Sequence, residues 1–331
     1  MVEQINKKPL VSCIIIFLNA VENFFIEAIE SIFAQTYDNW ELLLADDGSA
    51  DESTAIALRY AQQYPDKVRY LEHEGHQNHG MSATRNLGIR HAKGEYIALL
   101  DADDIWLPQK LEKQVAILEA HPEAGMVYGS TLTWFGWTGN PEDAKHDRQR
   151  TLGVKPDTLL KPPTLLKLFL KGKAETPGIC GVLIHRKLVQ DVGGFEESFR
   201  GLFEDKAFFA KVCVKASVFV ESGCWDRYRQ HPKSSCYVAQ ALGEYNPLKP
   251  NPTHLTFLTW LEKYLCEQGY QDTEIWQALN KALWPYHHPR MFYLLQFFPD
   301  VAQSFTRNIK KIVKFIFRHT QYKPSHLSRT N

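Results

Sequence analysis

Three carboxylates crowd the segment Asp101-Ala102-Asp103-Asp104, directly after the apolar run Tyr96 to Leu100. A short apolar run opened by Gly94 and closed by acids reads as a buried strand, so the acids stand where a strand ends. Carboxylates held that close repel one another, and the crowding is costly unless a positive charge lies among them. A hard divalent cation with oxygen ligands meets that need. Mg²⁺ or Mn²⁺ held by one or two carboxylates takes its remaining ligands from substrate phosphates and water. The segment therefore predicts a metal-bridged diphosphate. The competing reading is a solvated acidic turn ahead of the helix that Pro108 opens, since Asp before a helix and Pro at its first position are ordinary start signals.

The elements that must position these acids follow from periodicity. Leu10 to Phe17 is an almost unbroken β-branched and apolar run, as expected of a strand covered on both faces, and Asn19 ends it. Phe25, Ile29, Ile32 and Phe33 share one helical face, and Trp40 to Ala45 restores a strand. That strand-helix-strand unit predicts a parallel sheet. The second strand ends in Asp46-Asp47-Gly48-Ser49, where Ser49 and Glu52 read as a capping box for a helix to about Gln63. A strand at Val68 to Leu71 and a helix from about Ala83 to His91, with Arg85 in its first turn, lead back to the acidic strand end. Asn19, Asp47 and Asp101 thus end separate strands, and ligands of open α/β sheets bind in the crevice outside those ends.

Farther on, helices are expected over Pro108 to Ala120 and Arg186 to Val192, and strands over Met126 to Phe135 and Ile179 to His185. The polar, Pro-rich stretch Thr138 to Pro163 is either a disordered excursion or a functional loop. Glu204-Asp205 opens a helix through Val214, a placement that dipole compensation alone would explain.

Composition narrows the classes. Lysine plus arginine and aspartate plus glutamate number 38 each, which argues against a nucleic-acid-coating surface. The six cysteines are scattered with no Cys-x-x-Cys pair and no zinc spacing, as in a reduced cytosolic protein. Lys7-Lys8 and the apolar run after them imitate a secretory signal, but no small-residue cleavage site follows. No apolar run approaches the ~20 residues of a membrane span.

Taken in order, the motifs resemble the family 2 nucleotide-sugar glycosyltransferases. The likeness is carried by Val11-Ser-Cys-Ile-Ile-Ile with Asn19, Gln35-Thr36-Tyr37, Asp46-Asp47-Gly48-Ser49 and Ser82-Ala-Thr-Arg85-Asn86-Leu-Gly88. It continues through Gly94-Glu-Tyr, Asp101-Ala-Asp103-Asp104, Gly193-Gly-Phe195 and Phe203-Glu204-Asp205, spanning about residues 9 to 235. The resemblance implies a GT-A fold: α/β, with a Rossmann-like, mostly parallel central sheet flanked by helices. The catalytic domain would occupy 1–235, and a helical extension 236–331.

It also implies roles. Asp47 would accept a hydrogen bond from the base, typically uracil; Arg85 would neutralise the diphosphate or hold the base pocket; Asp101 would face the ribose. Asp103 would hold Mn²⁺ or Mg²⁺. Asp205 would deprotonate the acceptor hydroxyl in an inverting transfer, with Glu204 beside it on the acceptor side. Arg227-Tyr-Arg229-Gln-His231 resembles a Tyr-Arg-x-His segment, and His231 would touch the diphosphate or the metal. Asn19 stands with the donor-nucleotide residues, although Ile16-Phe17-Leu18-Asn19 replaces the family's frequent Pro-Thr-Tyr-Asn. A Gln-x-x-Arg-Trp motif of processive enzymes is absent, which favours a single transfer.

Two rivals are weighed. Asp101-Ala-Asp103 could serve a phosphotransfer site of haloacid-dehalogenase type, but its flanks are Ala102 and Ile105 and it sits on a late strand. A catalytically silent sugar-nucleotide scaffold would have no need of Asp205. At the C-terminal end, Arg307, Lys310, Lys311, Lys314 and Arg318 fall on one side of a helix at 304–318 opposite Phe305, Ile309, Ile312, Val313 and Ile316. That predicts either docking on the domain or peripheral attachment to an anionic membrane surface, on the inner face of the cell membrane, near lipid-linked glycan acceptors.

Overall fold

The computed structural model describes residues 8–245 and 249–297, so the basic stretch 304–318 lies outside the described residues. The strands are β1 (Val11–Phe17), β2 (Trp40–Asp46), β3 (Val68–Glu72), β4 (Tyr96–Asp101), β5 (Ile105–Trp106), β6 (Ala124–Trp134), β7 (Arg148–Gln149), β8 (Thr158–Leu160), β9 (Val182–His185) and β10 (Ser217–Arg229). The helices are α1 (Glu22–Phe33), α2 (Ser53–Gln63), α3 (Met81–His91), α4 (Lys110–Ala120), α5 (Pro141–Ala144), α6 (Thr164–Leu170), α7 (Arg186–Asp191), α8 (Glu204–Lys215), α9 (Ser235–Ala241), α10 (Pro252–Glu267), α11 (Thr273–His287) and α12 (Pro289–Phe297).

Every residue of β1 and β2 is buried, as their unbroken apolar runs require of strands covered on both faces. β1 pairs in parallel with β2 and β4, and β2 with β3. Parallel neighbours need a crossover, which α1, α2 and α3 supply. The sheet continues in the order β3-β2-β1-β4-β9-β6-β10-β5. Beyond β4 the short β9 runs antiparallel to both β4 and β6, while β6 and β10 form a long parallel ladder. The sheet is therefore mostly parallel along its long ladders, and the carboxyl ends of β1, β2 and β4 open on one rim.

Local chemistry moves several expected boundaries. Ser49 and Glu52 do not form a capping box: Ser49 Oγ accepts the Asn19 N–H at 3.0 Å, and the Ser49 N–H donates to Asp46 Oδ1 at 2.8 Å. The serine ties the end of β2 to the end of β1, and α2 starts later, at Ser53, whose N–H donates to Asp51 Oδ1. Ile179–Gly181 is a 3-10 turn rather than the start of a strand. The stretch 138–163 is built from short pieces, with β7 paired to β6 and β8 to β10.

The chain divides into two compact units, 1–279 and 280–331. In the first, α10 packs against α8. Phe203, just before α8, stacks on Phe257 of α10 with ring centroids 5.7 Å apart. Among the described residues no helix is long and apolar enough to cross a membrane.

Candidate active site

A cavity of about 390 Å³ opens at the strand-end rim, and Asn19, Asp47, Arg85, Asp101, Asp103, Glu204, Asp205 and His231 all line it. Arg85 organises the centre. It is 2% exposed, and its guanidinium donates to Asp101 Oδ1 at 2.8 Å and to Glu204 Oε1 at 3.0 Å. A helix on one side of the sheet thus clamps the end of β4 to the start of α8. The fork geometry and permanent charge of guanidinium suit it to two carboxylates at once.

Burial pushes the Glu204 carboxyl up to about 7, helped by the adjacent Asp205 charge and opposed by Arg85. Burial likewise raises Asp101, with Arg85 pulling it down and Asp103 pushing it up. Glu204 and Asp205 occupy the first turn of α8, where free backbone N–H groups favour negative charge. The turn that delivers them is strained: Phe203 has φ 73°, a left-handed conformation uncommon for a bulky residue. Its ring packs against both His254 and Phe257, so packing over-determines the strain.

Asp103 and His231 meet directly, with Nε2 and Oδ2 2.9 Å apart. Arg229 fixes the acidic loop from behind: its Nε donates to the Asp103 carbonyl at 2.7 Å and its backbone N–H to Asp104 Oδ1 at 2.8 Å. Asp104 is 1% exposed and its other oxygen takes the Cys180 thiol at 3.2 Å. Burial holds its carboxyl well above the usual range, with Asp103 and Asp101 adding to the rise.

Asp47 lies at the cavity with its carboxylate already engaged. Oδ1 accepts from the His79 N–H at 2.8 Å and the Thr84 hydroxyl at 2.9 Å, and the Gly80 N–H reaches both oxygens. Asp47 therefore anchors the start of α3, which carries Arg85, and Oδ2 retains acceptor capacity. Asn19, exposed and at φ 45°, accepts the Ala50 N–H on Oδ1 at 2.8 Å.

Asp101, Asp104 and Cys180 also present ligand atoms within 4.8 Å of one another. That trio suits a hard cation poorly, because both Asp104 oxygens already accept hydrogen bonds and burial keeps the Cys180 thiol protonated. Asp103, whose side chain is 32% exposed beside the 31% exposed Asp101, offers hard oxygens at the cavity instead. The His231 Nδ1 atom is buried and has no hydrogen-bond partner among the described residues.

The sequence reading had no route to Cys180, Asp226, Thr131 or Arg150, which also line the cavity. They belong to no spaced motif; only Asp226 and Thr131 are joined by strand pairing, and loop packing brings in Cys180 and Arg150. The Asp101 N–H, for instance, reaches Cys180 Sγ across 79 positions of chain.

Comparison with known proteins places the sequence and the fold. The sequence profile described as Glycosyl transferase family 2 matches residues 12–193. EpsE of Bacillus subtilis (strain 168) is 44% identical over 116 residues, 35% of this chain and 41% of that protein. The uncharacterized glycosyltransferase RP339 of Rickettsia prowazekii (strain Madrid E) is 32% identical over 241 residues, covering 72% of this chain and 70% of that one. The match thus spans less than half of EpsE and over two thirds of RP339. Among solved structures, Staphylococcus aureus TarS 1–349 in complex with UDP-GlcNAc superposes with a TM-score of 0.62 at 17% identity, covering 82% of this chain and 71% of that chain, a likeness of GT-A fold. A profile that spans most of the sheet's motifs, joined to a relative matched over most of its length, assigns the chain: it belongs to glycosyl transferase family 2.

Proposed function

We propose that the chain moves one sugar from a nucleoside-diphosphate donor, with UDP as the nucleotide, to a hydroxyl of a glycan or lipid-linked glycan, with inversion at the anomeric carbon. The observation that carries this is the convergence of eight polar residues from six segments of the chain on one cavity, acids and a buried arginine together.

Asp205 takes the proton from the acceptor hydroxyl as its oxygen attacks the anomeric carbon. The bond from that carbon to the phosphate oxygen breaks, and its electron pair leaves on the diphosphate. Arg85 supplies fixed positive charge beside Asp101, and Glu204 orients the acceptor side. Asp103, with Asp101 near it and His231 against it, would hold Mn²⁺ or Mg²⁺, which when bound stabilises charge on the departing diphosphate. Asp47 Oδ2 has acceptor capacity for the imide N–H of uracil, with Asn19 at the same end. The UDP-GlcNAc complex of the TarS structure supports the choice of nucleotide.

The test is release of nucleoside diphosphate from a panel of UDP- and GDP-sugars, with Mn²⁺ and after chelation, and with the product's anomeric configuration read by NMR. Release from a UDP-sugar, lost on chelation and giving the opposite anomer, is expected. Turnover that survives chelation removes the metal, retained configuration removes the inversion, and no release from any donor removes the reading as a whole.

A further inference from the structure

One corner of the cavity is not used by the chemistry above. Asp226 on β10 and Thr131 on β6 are partners across the parallel ladder, so their side chains stand together on one face of the sheet. The register slips between Cys224 and Asp226, an irregularity of the kind that re-aims a side chain. Asp226 is 1% exposed and Thr131 2% exposed, and both line the cavity. By strict hydrogen-bond geometry neither Asp226 oxygen nor Thr131 Oγ1 has a partner among the described residues, although the Thr131 hydroxyl lies near enough to Asp226 to oppose the rise that burial gives its carboxyl. Lys110, the buried cation whose charge Asp226 feels, spends its ammonium on Gln114 Oε1 and the Val182 carbonyl.

Even with the Thr131 hydroxyl turned to Asp226, at least one buried carboxylate oxygen is left unmet, and native proteins rarely leave such an atom unexplained. Two glycines let the backbone pass close beside these polar atoms. A Cβ on Gly178 would come within 2.5 Å of Thr131 Oγ1, and one on Gly181 within 2.9 Å of Asp226 Oδ1. Any larger residue at these two places would press on the polar atoms.

We infer that Asp226 and Thr131 form a hydroxyl-reading corner that takes the sugar ring of the nucleotide donor and sets which sugar is accepted. This rests on the donor reading proposed above. A carboxylate accepts from two ring hydroxyls at once, and a threonine hydroxyl both donates and accepts. The donor's ring, rather than the acceptor's, fits because the turn over the corner also touches the acidic segment proposed above to hold the metal: Cys180 Sγ meets the Asp101 N–H at 3.3 Å and donates to Asp104. A site built around buried acceptors rejects a ring lacking the matching hydroxyl, because its polar atoms are then left unmet.

Calorimetric titration of UDP, UDP-glucose, UDP-galactose and UDP-N-acetylglucosamine with Mn²⁺ tests the corner in wild type, Asp226→Asn and Thr131→Val. For the sugar that wild type prefers, Asp226→Asn should weaken binding of the nucleotide sugar about tenfold or more while leaving UDP unchanged. Thr131→Val should act in the same direction with smaller size. Unchanged UDP affinity also shows that the variants are folded. Equal losses for UDP and UDP-sugar, or no loss at all, overturns the corner while the donor reading stands. Wild-type protein that binds none of the four overturns the donor reading and the corner with it.

Discussion

Arg85 holds two carboxylates that the chain separates by 103 positions (204 − 101), and its charge opposes the rise that burial gives both. Replacing it with Met leaves Glu204 buried without its counter-charge. We expect a loss of about 3 kcal/mol in denaturant unfolding, at the low end for a broken buried pair because the Asp101 side chain is 31% exposed. Arg85→Lys keeps the charge but cannot fork to both acids, so a partial loss is expected. Glu204 adds a pH signature. Its carboxyl sits at about 7 in the fold, above the value of about 4.3 expected unfolded, so the folded state binds the extra proton between them. Stability from this group is present at low pH and is lost as pH rises through that window. Glu204→Gln should flatten the wild-type decline in unfolding midpoint toward pH 7, and parallel curves for the two proteins would contradict the shift. At this scale the acids were legible because they sit in ordered motifs. Asp226 and Thr131 were not: an aspartate after Trp225 and a threonine inside an apolar strand carry no signal until β6 and β10 are paired.

Among the elements, α3 carries the most. It lies on β1 so closely that a Cβ on Gly88 would meet Ile14 Cγ2 at 2.5 Å. Gly88 is one turn from Arg85, so lifting the helix moves the guanidinium away from Asp101. Gly88→Ala should cost about 1–3 kcal/mol by overpacking, despite the better helix propensity of alanine, and should lower activity with it. Denaturation midpoints and turnover check this together. The apolar runs of β1, β2 and β4 were readable because strands buried on both faces need such runs. The Ser49 and Glu52 pattern misled because Ser49 bonds to Asn19, a contact set by the neighbouring strand. The antiparallel β9 was invisible as such, since strand direction depends on partners and not on residue type.

For the whole molecule, separate segments bring their acids to a rim that only the folded sheet creates. The order of motifs from Val11 to Asp205 made that fold legible, while acceptor choice left no periodic trace. The basic stretch 304–318 lies outside the described residues, and its sequence carries the proposal of peripheral membrane attachment. Reversing Arg307, Lys310, Lys311, Lys314 and Arg318 to Glu should abolish flotation with liposomes containing anionic lipid, and equal flotation of both proteins would count against attachment. The most direct measurement is turnover of Asp205→Asn, an isosteric change in the first turn of α8, in the nucleoside-diphosphate release assay with Mn²⁺ and acceptor. Loss of general-base catalysis predicts a rate lower by about 10² to 10⁴, with donor affinity retained. A variant that turns over at the wild-type rate would contradict the assignment of Asp205 as the base.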